Sequence, residues 1–293
     1  MDWAKAKSIL IVAFLITNLF LGYNVLKDSE IRNYAYTVSD KRINDVRELF
    51  GQKNITIKAN ILEKMKKLPQ LTVEYETYDM ELIKSKFPEF TSISEEAIRY
   101  QNGNEIVEVT AHNKSISYTN KNKTSISVEM DEKKAEEVAE DFISKHGFQG
   151  NDVELWSTKK KHGDYEIIYK QRYEDLILDH GYMKLTVKNG EVVKFEKRWL
   201  KPVDVKKFDK EIIPVTKALI LATDDLREKK EKEDSELIIE DIRLAFKLDI
   251  FEFNELLNEK WYEINESTGT GSLYWRIRLA DQDYIDIKAE TYE

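Results

Sequence analysis

The side chains from which this 293-residue chain could build chemistry are four histidines, fifty-five carboxylates and its hydroxyls; it has no cysteine. The missing thiols exclude disulfides, thiolate metal sites and cysteine nucleophiles. His112, His146, His162 and His180 are far apart, and none stands in an HExxH or other zinc spacing. Asp179 and His180 are adjacent, which reads as a turn rather than a catalytic dyad. Gly269-Thr270-Gly271-Ser272 looks like a phosphate loop only in composition; between two expected strands it reads as a hairpin loop. There is no GxSxG elbow and no P-loop. With so many carboxylates, close acidic pairs arise by number alone, and none has an environment that the sequence marks as special. These residues predict no catalytic, cofactor or metal site, and so a protein that is not an enzyme.

Charge narrows the partners. The chain carries a formal −9, and residues 1–26, with Asp2, Lys5 and Lys7, hold +1, leaving −10 on the other 267. A region so acidic offers phosphates no basic face, so nucleic acid is excluded as a partner. The one basic run, Lys159-Lys160-Lys161, reads as a solvated loop. Eleven per cent aromatic residues, with only ten Gly and four Pro, exclude a wholly disordered or collagen-like chain. The length suits one large or two ordinary domains.

One segment departs from this polar average. Residues 8–26, SILIVAFLITNLFLGYNVL, hold no charge over 19 positions. As a helix rising ~1.5 Å per residue they span about 28 Å, the thickness of a bilayer's hydrocarbon core. Lys5 and Lys7 precede the span, which predicts a cytoplasmic N-terminus (residues 1–7) and an extracytoplasmic C-terminal region. Trp3 and Tyr23 sit where interfacial aromatics belong. Signal-peptidase cleavage after Gly22 would put Phe20 at −3, a poor fit, so the span is expected to stay as an anchor. Ile11, Phe14, Leu15, Asn18, Gly22 and Val25 share one broad helical face. An amide in hydrocarbon seeks another helix, and Gly22 permits close approach, so this face is the candidate partner interface. The alternative is that a single span simply tolerates one Asn.

Beyond the span, residues 29–50 read as a helix leaving the membrane, with Ser39 or Asp40 capping its second part and Gly51 ending it. ITIKANI alternates like a strand, whereas LEKMKKL looks helical. Strands are expected at 71–78, 105–111, 115–118 and 124–130, giving a membrane-proximal α+β region over 27–130. Asp131–His146 is an amphipathic helix, with Ala135, Val138, Ala139, Phe142 and His146 on one face and Gly147 behind it. A second helix with similar spacing follows Pro214. Each is succeeded by strands: 153–158, 165–173, 181–188 and 191–200 after the first; 237–253, 260–264, 273–279 and 284–289 after the second. Asn189-Gly190 is a strong hairpin signal. Residues 131–200 and 201–293 therefore read as two copies of one helix-plus-sheet unit. The expected fold class is α+β: an N-terminal transmembrane helix, then a mixed helix and antiparallel-sheet ectodomain with a tandem repeat.

The opening, MDWAKAKSILIVAFLITNLFLGYNV, resembles the start of the YycI (WalI) family, in which Met-Asp-Trp-x-x-x-Lys leads into an apolar span containing Asn. Here those positions are Met1, Asp2, Trp3, Lys7 and Asn18. The two-copy pattern is similar to the tandem domains of the YycH and YycI families, as are Trp275-Arg276-Ile277 and Tyr284-Ile285-Asp286-Ile287 to that family's C-terminal strands. Asp286 stands where the family often has Asn. The resemblance implies a single-pass cell-membrane protein of low-GC Gram-positive bacteria. Its partners would be a YycH-like protein, the bilayer, and the sensor histidine kinase of the YycFG (WalRK) two-component system of cell-wall homeostasis. The alternative is an extracytoplasmic PepSY-like module that binds a peptide or cell-wall fragment in a groove lined by Tyr165, Tyr169, Tyr173 and Trp199.

Overall fold

The computed structural model describes residues 14–21, 34–66, 69–94, 98–122, 130–207, 212–232, 236–248 and 268–290. A short helix, α1, covers residues 14–21. Strand β1 (Tyr34–Thr37) precedes helix α2 (Asp40–Gly51), β2 (Ile55–Ile57), β3 (Lys64–Lys66) and β4 (Pro69–Tyr75). Helix α3 (Met80–Lys86) leads to β5 (Thr91–Ser94), β6 (Arg99–Asn102), β7 (Glu105–Thr110) and β8 (Ser115–Asn120). Helix α4 (Glu132–Lys145) is followed by β9 (Val153–Lys161), β10 (Asp164–Tyr173), β11 (Leu176–Lys188), β12 (Glu191–Arg198) and β13 (Leu200–Lys207). Helices α5 (Val215–Leu221) and α6 (Thr223–Lys232) then precede β14 (Leu237–Leu248), β15 (Thr268–Leu279) and β16 (Tyr284–Lys288). The protein is thus α+β with a mostly antiparallel sheet, as its sequence predicts.

Local chemistry explains the surest elements. The Asp131 carboxylate accepts from Lys134 N at 2.8 Å and caps α4. Ala135, Ala139 and Ile143 bury one stripe of that helix, and Gly147, at φ +62°, turns the chain away. Ser39 caps α2, which buries Ile43, Val46 and Phe50. Asn189 and Gly190, both at positive φ, make the two-residue turn from β11 to β12.

Other expectations need correction. Of the helix read over 29–50, residues 29–33 lie outside the described residues, Tyr34–Thr37 is instead a strand paired with β3, which occupies the stretch that looked helical, and α2 starts at Asp40. Residues 124–129, 249–253 and 260–264 lie outside the described residues. The helix after Pro214 breaks at Ala222 into α5 and α6.

Fourteen strands form one long sheet in the order β13-β4-β15-β14-β11-β12-β8-β7-β6-β5; β10 attaches at β11 and carries β9, β16 attaches at β15 and β2 at β14. Two of its junctions are parallel, β2 and the start of β11, each pairing three residues with β14. Two apolar cores lie along the sheet. The first gathers Phe50, Ile55, Leu71 and Val73 from the N-terminal part with Leu219, Leu244, Trp275 and Ile277 from the C-terminal part. The second is built from residues 78–199, including Ile83, Phe87, Val107, Ala139, Ile167, Leu185 and Phe195. The lobe around the second core is therefore inserted between the two halves of the first, and the residues of 27–130 divide between the cores.

Candidate functional site

The chain crosses between the lobes at Glu76–Tyr78 and again at Lys197–Leu200, and these two passages run side by side, with Glu76 N donating to Trp199 O at 2.9 Å. Beside them opens a cleft of about 540 Å³ bordered by Glu76, Tyr78, Lys86, Asp152, Lys197 and Trp199. The Lys197 side chain is only 8% exposed, an unusual place for an ammonium. It donates to Glu76 Oε2 at 2.9 Å and to the Tyr78 hydroxyl at 3.0 Å, and that hydroxyl donates to the same Glu76 oxygen. The rings of Trp199, Tyr78 and Phe148 surround Nζ at 4.8, 5.2 and 5.8 Å. Burial pulls the Lys197 ammonium below its usual range, and Glu76 opposes that pull. Burial first, and the Glu76 charge second, push the Tyr78 hydroxyl upward, so it stays protonated as a donor.

Next to this pair the Trp199 indole donates to Asp152 Oδ2 at 2.7 Å. The Gln171 amide, 4% exposed, accepts from Leu200 N at 2.8 Å and donates to Leu200 O at 2.7 Å. Successive residues of a strand turn to opposite faces. Gln171 therefore meets the Lys197 cluster, while Lys170 joins a second polar cluster on the other face.

That second cluster centres on Arg276, whose side chain is 0% exposed. Nε and Nη2 donate to the two oxygens of Asp286 at 2.8 Å each, a bidentate fork, and Nη1 donates to Asp179 Oδ1 at 2.6 Å. Lys170 donates to Asp179, through its backbone O at 2.6 Å and Oδ1 at 3.4 Å, and Lys247 pairs with Asp286 at 2.6 Å. Burial alone would raise the Asp179 carboxyl, but Lys170 and Arg276 outweigh it and hold that group well below the usual carboxylate range. Trp156, Ile168, Ile177 and Ala245 form a small apolar cluster on this face. Lys170 and Asp179 come from the β10–β11 hairpin and Arg276, Asp286 and Lys247 from β14–β16, so the network ties one lobe to the other. Each of its two carboxylates is held by two cations, an arrangement that fixes strands.

The histidines stay dispersed. His112 and His162 lie in turns at positive φ. His146 ends α4, stacked on Phe87 at 4.2 Å with Nδ1 2.9 Å from Lys86 O. Asp179 is committed to Arg276 and Lys170, and with His180 it sits in a bulge of β11 rather than a loop turn. Among the described residues no three His, Asp or Glu side chains cluster as metal ligands. Gly269–Ser272 belongs to β15, not to a hairpin loop: Gly269 pairs with Val73 and Gly271 with Leu248. Lys159–Lys161 close β9 rather than forming a loop. Tyr165 and Tyr169 are buried in the second core and Tyr173 packs against the first, so these three fill cores; Trp199, 4% exposed, alone of the four borders the Lys197 cleft.

Of the candidate membrane face, Phe14, Leu15 and Asn18 lie in α1 and are exposed, as are Ile16, Leu19, Phe20 and Leu21. Ile11, Gly22, Val25, Trp3, Lys5 and Lys7 lie outside the described residues. Among the described residues no helix is long and apolar enough to cross a membrane.

The YycI protein family model matches residues 33–290. The chain belongs to the YycI family. No curated protein matches this YycI-family chain. Solved structures with a similar course include an uncharacterized protein from Eubacterium rectale, at 8% identity and TM-score 0.41, covering 81% of this chain and 86% of that one. YycH from Bacillus subtilis matches at 7% identity and TM-score 0.46, over 76% of this chain and 54% of YycH. The C-terminal domain of Bacillus megaterium YpeB matches at 12% identity and TM-score 0.35, over 87% and 94% respectively.

Sequence reasoning missed Lys197, Glu76, Gln171 and Arg276. One signal was available: Lys197 occupies an inward position of β12, two residues beyond buried Phe195.

Proposed function

We propose that this chain is a non-enzymatic, membrane-anchored regulator of the YycFG (WalRK) two-component system. Membership of the YycI family over residues 33–290 carries the reading and supports a regulator role. In this reading residues 8–26 anchor the protein in the cell membrane with the N-terminus inside. The helix-plus-sheet units 131–200 and 201–293 form a tandem pair outside. The anchor packs against the spans of the sensor histidine kinase, together with a YycH-like partner, through Ile11, Phe14, Leu15, Asn18, Gly22 and Val25. The exposed apolar side chains of α1 support it, since such a surface needs an apolar surrounding. Coupling between ectodomain state and helix packing would carry the regulation.

The test is association of the full chain with the kinase in membranes. Exchanging residues 8–26 for an unrelated apolar span should abolish it. Asn18→Leu should weaken it roughly three- to thirtyfold, the worth of one interhelical hydrogen bond. Kinase binding unchanged in both variants would sink the helix-centred mechanism.

A further inference from the structure

We infer that the two lobes bend about the waist between them, a hinge whose open side is the Lys197 cleft and whose closed side is the Arg276 and Trp156 face. Among the described residues the chain passes the waist at three places: Glu76–Tyr78, Lys197–Leu200, and the β10–β11 hairpin, whose tip pairs with β14. Regular structure breaks at each. Residues 76–79 belong to no helix or strand, and Trp199 interrupts the run from β12 to β13. In the hairpin the register jumps from Lys170↔Tyr182 to Gln171↔Leu178, leaving Asp179, His180 and Gly181 outside the ladder. Hinges are short non-repetitive stretches of this kind, able to absorb backbone rotation while rigid bodies move on either side.

The filling of the waist agrees with this. Each lobe has its own close-packed apolar core, and such cores resist deformation. What joins them on the cleft side is directional: Lys197 to Glu76, Gln171 to Leu200, and Glu76 N to Trp199 O. The Lys197–Glu76 bond borders the 540 Å³ cleft, so water can replace it as the cleft widens. The opposite face holds Arg276 between two carboxylates and packs Trp156 against Ile177 and Ala245. It is the tighter tie and serves as the fulcrum. Gly181 belongs to the same joint: a Cβ there would come within 2.6 Å of Gln171 Cβ, so glycine lets the Gln171 clamp seat against the bulge.

The chain has no cysteine, so pairs of spin labels can be placed at will. Labels at Lys133→Cys and Arg227→Cys, both on exposed side chains, report across the waist. Lys133→Cys with Ser92→Cys reports within the second lobe, and Asp45→Cys with Arg227→Cys within the first. In double electron–electron resonance on the full chain in lipid nanodiscs, the cross-waist distance distribution should be at least about twice as wide as either within-lobe distribution. Gln171→Leu and Lys197→Met should widen or shift the cross-waist distribution and leave the within-lobe ones alone. A cross-waist distribution as narrow as the within-lobe pairs in the otherwise native chain overturns the hinge. Should a substitution widen all three, it has loosened the fold, and the native comparison alone decides.

Discussion

Arg276→Met asks how much the buried guanidinium contributes. The side chain is fully enclosed and makes three charge-assisted bonds, two to Asp286 and one to Asp179. Removing one partner of a buried ion pair costs about 3–5 kcal/mol, because the other charge is left without compensation. Here each carboxylate keeps one cation, Lys247 beside Asp286 and Lys170 beside Asp179. Methionine also fills much of the arginine stem's volume, so the loss belongs at the lower end, about 3 kcal/mol. For a chain of this size that lowers the melting temperature by roughly 6–12 °C. Thermal and urea unfolding of the full chain in detergent, followed by tryptophan fluorescence, measure it. Asp286→Asn and the double variant complete a cycle, and the pair should be non-additive by at least about 1 kcal/mol. A loss below about 1 kcal/mol for Arg276→Met, or strict additivity, would refute the reasoning, since neither fits a desolvated guanidinium held between two carboxylates.

Three further substitutions test the packing. His146 is stacked on Phe87, and burial holds its imidazole below the ordinary 6.5; the Lys86 carbonyl partly offsets that. Below pH 6.5 the unfolded chain binds a proton that the folded chain refuses, so stability falls as pH drops from about 6.5 toward the folded value. His146→Phe should therefore be less destabilising at pH 5 than at pH 7 in urea titrations, and an equal cost at both would show that this histidine titrates normally. At Gly271 an added Cβ would press on the Lys247 carbonyl oxygen and lie 2.6 Å from the Phe246 ring. Gly271→Ala should cost about 1–3 kcal/mol by overpacking a paired strand, whereas Gly51→Ala, with open space around it, should be near neutral; equal stabilities would show that the close approach is absent.

What was legible in the sequence was local. The Asp131 cap, the Ala135–Ala139 stripe and Gly147 all lie within one helix, so α4 could be read to within a residue. Asn189-Gly190 fixed a hairpin because two residues alone determine that turn. Elements that depend on distant pairing were not legible. Tyr34–Thr37 is a strand only because Lys64–Lys66 lies beside it. The two glycines of Gly269–Ser272 suggested a loop, yet Gly271 is there because a neighbouring strand's carbonyl leaves no room for a side chain. Asp79 does cap α3, accepting from Leu82 N at 2.8 Å, but the alternating run before it masked that signal. The Arg276 network draws on residues 170, 179, 247, 276 and 286, and no spacing rule connects positions so far apart.

The nesting of the two cores has a consequence for how the ends of the molecule communicate. The second core draws only on the stretch from Tyr78 to Trp199 and can form from its own hairpins, leaving Leu176 and Leu178 at the β10–β11 tip to the first core. The first core cannot. It needs β2 beside β14 and β4 between β13 and β15, pairings that close loops of well over a hundred residues. The second lobe should therefore fold first and the first core close around its two ends. Closure places Trp275 at the centre of the first core, its indole donating to Ile213 O at 2.8 Å and its ring edge-on to Tyr36 at 6.1 Å. Tyr36 lies in β1, the first strand after α1 in the described structure. The C-terminal strands, held by Arg276 at the waist, are thus in direct contact with β1. A bend at the waist has a short, close-packed route to β1, through Arg276, Trp275 and Tyr36.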